Sequence, residues 1–406
     1  MPRPIVLTVA FVAAMTLGAL ESHARPLALE DYYRIVNLQA PALSPDGRWL
    51  AFIKTTINEA ENRRQSELWL VAADGSSPPR RLTDPSLNVS APRWTPDSQL
   101  LAYSVRRRGA PASDGDAGAI WFLRADRLDD APFQIRGVDG PPVFSPDNKW
   151  IAFTKRIAAP RKPQYASDSE RVINERFKGK AYEWLNYRFD QRGYLPDPRD
   201  PAATPPEELF IVSRDGGEAR QLTHGGVNVR GASWRPDSGA LAFVANEFER
   251  DEYTYDRADV WTVTLDGTTT RITNDGYNHQ SPAYSPDGRT IAVRREQGLS
   301  GVIASKQTHG AATDIALFPA AGGTPRNLTA EWDLIPGAPG WSPDGRFVFF
   351  AAGVGGSEHL FRAALASPSR VEQITKGDRR LAGFSPSGDV STMAYVGQDS
   401  GHPDEL

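Results

Sequence analysis

An all-β fold, a β-propeller built from four-stranded blades, is what this sequence predicts, and three observations carry the prediction. The first is a recurring tetrapeptide: Ser44-Pro45-Asp46-Gly47, Thr95-Pro96-Asp97-Ser98, Ser145-Pro146-Asp147-Asn148, Arg235-Pro236-Asp237-Ser238, Ser285-Pro286-Asp287-Gly288, Ser342-Pro343-Asp344-Gly345 and Ser385-Pro386-Ser387-Gly388. Its prolines lie 51, 50, 90, 50, 57 and 43 residues apart, a period near 50 with one insertion of about 40. The second is the flank of each copy: Leu43, Trp94, Phe144, Trp234, Tyr284, Trp341 or Phe384 before it, and a short apolar run such as Trp49-Leu50-Ala51-Phe52-Ile53 after it. The third is the content of 35 Gly and 33 Pro, which suits a chain of many turns.

Taken in chain order, Arg3 precedes an uncharged run from Ile5 to Leu20, and Ser22-His23-Ala24 places small residues at positions −3 and −1 of a cleavage site. Residues 1–24 therefore read as a signal peptide cleaved before Arg25. The run is shorter than the roughly 20 residues a membrane-spanning helix needs, so the mature protein is expected in the periplasm or secreted, with no membrane partner. Residues 25–39 hold a short helical segment, because Leu27 to Ile35 spaces its apolar side chains helically over too short a length to stand alone.

Residues 40–406 form the propeller. In each tetrapeptide Pro fixes φ at the first corner, Asp bonds its own backbone and Gly takes the left-handed position, so strands one and two make a hairpin. A third strand follows (Leu68–Val71, Ile120–Leu123, Leu209–Val212, Val260–Val263, Ile315–Phe318, Leu360–Arg362), then a fourth that often ends in Leu-Thr or Ile-Thr, as at Leu82-Thr83 and Ile272-Thr273. A four-stranded sheet cannot bury both faces alone, so such units shield one another around an axis. The count is seven repeats with the seventh incomplete. Eight tryptophans at equivalent positions (49, 69, 94, 121, 150, 234, 261, 341) are read as packing between blades.

The third unit carries an insertion over 156–207. Ser167 to Lys178 reads as helical, Ala181 to Asp190 is aromatic, and a loop rich in Pro and Asp follows. A connection of this size is functional or disordered in most domains. Within it Glu183, Arg188 and Arg192 are the candidates for contacting a substrate terminus or another domain, since charged side chains in a shielded cleft hold an amine or a carboxylate.

Other classes of function are excluded or unsupported. A formal charge of −4 offers no field for phosphate contacts, so nucleic acid is not an expected partner. The absence of cysteine rules out disulfides and thiolate chemistry. Histidines 224, 279, 309, 359 and 402 sit singly in different units, so neither a metal site nor a cofactor is expected. No G-x-S-x-G elbow, H-E-x-x-H pair, phosphate loop or dinucleotide fingerprint occurs; no catalytic residue is assigned.

The opening Leu29-Glu30-Asp31 followed by Ala42-Leu43-Ser44-Pro45-Asp46-Gly47, the repeated blades, and Arg188-Phe189-Asp190-Gln191-Arg192-Gly193-Tyr194 within the insertion together resemble the propeller part of secreted prolyl oligopeptidase-family serine peptidases, nearest their acylaminoacyl-peptidase and dipeptidyl-peptidase-like branch. The resemblance implies a propeller that gates access of short peptides to an α/β-hydrolase domain carrying Ser, Asp and His. Pro403-Asp404-Glu405-Leu406 matches the start of a third strand of the seventh blade, so the sequence is read as stopping short of that domain, and the chain alone is expected to be inactive. The S-P-D-G blade is shared with TolB-like propellers, and a stand-alone periplasmic propeller binding a protein or peptide is the alternative reading.

Overall fold

The computed structural model describes residues 28–106, 118–157, 167–176, 188–189, 193–194, 206–225, 228–245, 257–298, 301–302, 306, 312–366, 369–399 and 401–406. Residues 1–24, read above as a signal peptide, Glu183, Arg192 and most of the aromatic part of the insertion lie outside the described residues. A 3-10 helix spans Leu29–Arg34, and the first strand already begins at Asn37.

Six sheets follow. Blade one pairs Asn37–Leu43, Trp49–Asn58, Arg63–Ala72 and Arg80–Arg81 in order. Blade two pairs Asn88–Trp94, Leu100–Arg106 and Ala119–Arg124, with one bridge from Phe122 to Phe133 in the fourth-strand position. Blade three pairs Val143–Phe144, Trp150–Arg156, Glu207–Ser213 and Arg220–Gln221; blade four pairs Arg230–Trp234, Ala240–Ala245, Asp259–Thr264 and Thr269–Arg271. Blade five pairs Tyr277–Tyr284, Thr290–Gln297, Thr313–Pro319 and Arg326–Asn327; blade six pairs Gly340–Trp341, Phe347–Val354, Ser357–Ala364 and Val371–Gln373.

The expectation of seven blades is corrected to six. The seventh repeat supplies a hairpin, Arg380–Pro386 with Met393–Gln398, that joins the sheet of blade six through a parallel contact between Glu358 and Arg380. The same hairpin lies against blade one. Leu43 N–H donates to Ser385 Oγ at 2.9 Å, Gly388 N–H to the Pro45 carbonyl at 2.8 Å, and Leu38 N–H to Asp404 at 2.9 Å. Glu405 pairs antiparallel with Gly397, in the place of a third strand.

The seventh turn also sits two residues later than the tetrapeptide indicates. In blades one, two, three, five and six the hydroxyl of Ser44, Thr95, Ser145, Ser285 or Ser342 donates to the turn aspartate and accepts from the N–H five residues on. In the last repeat Ser387 plays that part, donating to Asp389 and accepting from Thr392 N–H. The turn is therefore Ser387-Gly388-Asp389-Val390, and Ser385-Pro386 belongs to the preceding strand. This puts Val390 at the left-handed position, φ +57°, where Gly47, Gly288 and Gly345 stand elsewhere. A β-branched residue is strained there by about 1–3 kcal/mol. Val390→Gly should stabilise the chain by about 1 kcal/mol, read as a higher urea midpoint at unchanged slope; a lower midpoint would contradict this register.

Blades two, three and four place Ser98, Asn148 and Ser238 at the same left-handed position, φ 59–60°. Each side chain accepts the aspartate N–H of the preceding blade's turn: Asp46 to Ser98 at 3.0 Å, Asp97 to Asn148 at 3.3 Å and Asp147 to Ser238 at 3.1 Å. The strain of a non-glycine residue is thus offset by a bond between blades.

These turn carboxylates titrate low. The Ser342 hydroxyl, then the Arg346 N–H and guanidinium, pull Asp344 down to about 2, and Ser387 and Ser391 do the same for Asp389. A carboxyl depressed in the folded state contributes stability that is present above its ordinary value of 3.8 and is lost as the pH falls from there toward about 2. Thermal melts should therefore show no loss from these turns between about pH 5 and 7 and a decline below about pH 4. A D344N/D389N variant should decline less steeply; an equal decline would place the acid sensitivity elsewhere.

The core confirms why the units stack. Each of the five apolar clusters joins two neighbouring blades: Ile53 and Leu68 meet Leu101 and Tyr103, Phe122 meets Phe153, and Val263 meets Leu209 and Ile211. Trp94, Trp234 and Trp341 each donate their indole N–H to a carbonyl of the preceding blade, at Ala42, Val143 and Ala283. The packing role read for these three tryptophans is the one observed.

Candidate functional site on the long-connection face

Because every blade is an antiparallel meander, connections from strand one to two and from three to four lie at one end of the ring. Those from two to three, and from each blade to the next, lie at the other. The serine–aspartate turns occupy the first end. The strand ends that flank the longest connections, Arg106 and Ala119, Arg156 and Glu207, Ala245 and Asp259, Gln297 and Thr313, occupy the second. At the neck of the insertion Arg156 and Glu207 are cross-strand partners joined by an ion pair at 3.0 Å, and Ile157 N–H bonds the Pro206 carbonyl. The insertion thus leaves from a regular ladder. Within it a helix spans Asp168–Arg176, as the charged stretch predicted, and Arg188–Phe189 pairs with Gly193–Tyr194. Of the three insertion candidates, Glu183 and Arg192 lie outside the described residues, and Arg188 is placed by its backbone alone.

The Leu-Thr and Ile-Thr endings have a physical role at this face. Thr83, Thr223, Thr273, Thr329 and Thr375 each accept an N–H of strand three in their blade, from Leu68, Leu209, Val260, Ile315 and Leu360, at 2.8–2.9 Å. The residue before that N–H is Glu67, Glu208, Asp259, Asp314 or His359, and in blades three, four and five its carboxylate accepts the threonine hydroxyl. The threonines were legible in the sequence and the acids were not, since the acids have no motif beyond standing one residue before the apolar run of strand three in blades one, three, four and five.

Blade four elaborates this latch into a charged cluster. Asp259, fully buried, accepts from Thr273 at 2.9 Å and from Arg271 at 2.6 Å, with Arg257 Nε 3.6 Å away. Asp275, in the connection to blade five, lies 3.3 Å from His279 Nε2 and 3.8 Å from Arg295. His279 is fully buried and donates from Nδ1 to the Ala258 carbonyl at 2.8 Å, so Nε2 faces Asp275. Burial alone would raise the Asp275 carboxyl, but His279, the Tyr277 N–H and Arg295 hold it below its ordinary value.

Although the histidines are spread singly along the sequence, the fold brings the donor atoms of Asp259, Asp275 and His279 within 4.8 Å of one another. The surroundings do not suit a cation. Both oxygens of Asp259 are already engaged by Thr273 and Arg271, and two further guanidinium groups stand within 4 Å of the carboxylates.

The comparisons with known proteins bear on this architecture. No protein-family model matches the chain. Over 389 residues it is 25% identical to dipeptidyl-peptidase 5 of Porphyromonas gingivalis, a match covering 93% of this chain and 53% of that protein. It is 26% identical over 237 residues to the uncharacterized peptidase YuxL of Bacillus subtilis, across 56% of this chain and 32% of YuxL. The chain therefore spans about half the length of the first relative and about a third of the second. Among solved structures, acylaminoacyl peptidase of Pyrococcus horikoshii superposes with a TM-score of 0.62 at 14% identity, over 92% of this chain and 51% of that one. The β-propeller domain of the Trilobed protease from Pyrococcus furiosus superposes at 0.58 and 13% identity, over 92% and 93%.

The chain is a propeller similar to those of peptidases. Oligogalacturonate lyase of Vibrio parahaemolyticus also superposes, at 0.56 and 13% identity over 90% and 85% of the two chains, so the structural likeness speaks for the fold, and it is the sequence likeness that points to peptidases.

Proposed function

We propose that this chain is the propeller part of an exported serine peptidase, covering a catalytic α/β-hydrolase domain and admitting short peptides. The similarity to dipeptidyl-peptidase 5 along nearly the whole chain carries the reading, and the gathering of the long connections at one end of the ring supplies a face for such gating. Export rests on the signal features of residues 1–24. The gene beyond codon 406 tests the proposal: it should continue in frame for about 250 residues with G-x-S-x-G, then Asp, then His. A stop codon with no such domain alongside would overturn it. In the longer protein, alanine at Glu183, Arg188 or Arg192 should raise KM for short peptides; unchanged kinetics in all three would remove the insertion from substrate contact.

A further inference from the structure

We propose that Arg257 and Arg295, at the long-connection end of the junction between blades four and five, form a binding site for a carboxylate of a peptide. The inference deepens the reading above and rests on it for the class of ligand.

The two arginines each stand within 4 Å of a carboxylate, yet among the described residues most of their hydrogen-bonding capacity is unfilled. In the same cluster Arg271 makes close hydrogen bonds to Asp259, to the Thr273 carbonyl and to Asn274. Among the described residues Arg257 has one hydrogen bond, 2.6 Å to Asn274, and its separation of 3.6 Å from Asp259 exceeds the about 2.7–3.2 Å of an N–H···O bond. Arg295 has none among the described residues. It stands over the Tyr277 ring at 4.5 Å and 3.8 Å from Asp275, while Asp314, its cross-strand neighbour, turns its carboxylate to Thr329.

Among the described residues the Nε atoms of both arginines are buried without any hydrogen-bond partner. An unpaired buried donor costs about 1–3 kcal/mol, more when charged, and such groups in a native fold call for an explanation. The other latches supply the control. Glu208 and Asp314 hold their threonines without a group of unsatisfied guanidiniums, so the arginines are not needed to build the blade.

Their position fits a ligand. Ile291, Val293 and Arg295 alternate along one strand and share a face; Ile291 and Val293 pack into the junction with blade four, and Arg295 continues that row at its open end. The side chains of Arg257 and Arg295 retain 24% and 13% of their exposure. A planar guanidinium offers a carboxylate two parallel N–H donors, a geometry that the more distant Asp259 and Asp275 leave unused. A peptide carries such a group at its C-terminus or on an acidic side chain.

The test is calorimetric binding to the full chain of three peptides: N-acetyl-trialanine as the free acid, the same peptide as its C-terminal amide, and N-acetyl-Ala-Glu-Ala amide. The free acid or the glutamate peptide should bind about ten-fold more tightly than the uncharged amide, and which of the two does so identifies the source of the carboxylate. Arg295→Gln and Arg257→Gln should each bring that ratio close to one, and Arg295→Lys, which keeps charge and loses the fork, should retain part of it, with circular dichroism reporting the fold. Equal affinity for all three peptides would overturn the carboxylate site and leave the peptide-binding reading standing. Failure of all three to bind a folded chain at millimolar concentration would overturn that reading and this inference together.

Discussion

Replacing Asp259 with alanine should destabilise the chain by about 3–5 kcal/mol, the cost of removing one partner of a buried ion pair. The carboxylate is fully buried and receives the Arg271 guanidinium and the Thr273 hydroxyl, with Arg257 adjacent. Its loss leaves these cations uncompensated and also frees the threonine that receives Val260 N–H. Asp259→Asn keeps the shape and an acceptor, so it should cost clearly less. Urea unfolding of the two variants measures the difference; a loss below about 1 kcal/mol for Asp259→Ala would show that the charges at this end are solvated rather than held by the latch.

Trp234→Ala should be comparably severe, about 3–5 kcal/mol, because it removes a large side chain from the cluster between blades three and four and cannot be refilled by small neighbours such as Ala152 and Ala245. It also removes the indole bond to the Val143 carbonyl at 2.9 Å. Trp234→Phe retains most of the volume and loses the bond, for about 1 kcal/mol plus a smaller packing loss. If the alanine variant melts with the parent protein, the blades are not held together by this interface.

Much of the fold was legible because a repeated turn is a local object. Proline, aspartate and a left-handed residue in four positions announce the hairpin wherever they occur, and the apolar runs beside them locate the strands. The neck of the insertion at Arg156 and Glu207 was visible as the break in that period. The seventh repeat misled because Ser385-Pro386-Ser387-Gly388 mimics the motif, whereas the hydrogen bonds of Ser387 with Asp389 and Thr392 define the turn without a proline. The same repeat counted as a seventh blade, although its two strands enter the sheet of blade six and close against blade one. The charged cluster was illegible for another reason. Arg257, Asp259, Arg271, Asp275, His279 and Arg295 come from two blades and the connection between them, at spacings set by strand length, and no short-range signal joins them.

Amide hydrogen exchange with and without a saturating short peptide is the direct test of whether the long-connection face meets peptides, as proposed. Exchange should slow around Asn274–Tyr277 and at the strand ends near Asp259 and Arg295, with the serine–aspartate turns at Ser44, Ser145 and Ser342 unchanged. Protection confined to those turns would contradict the proposal.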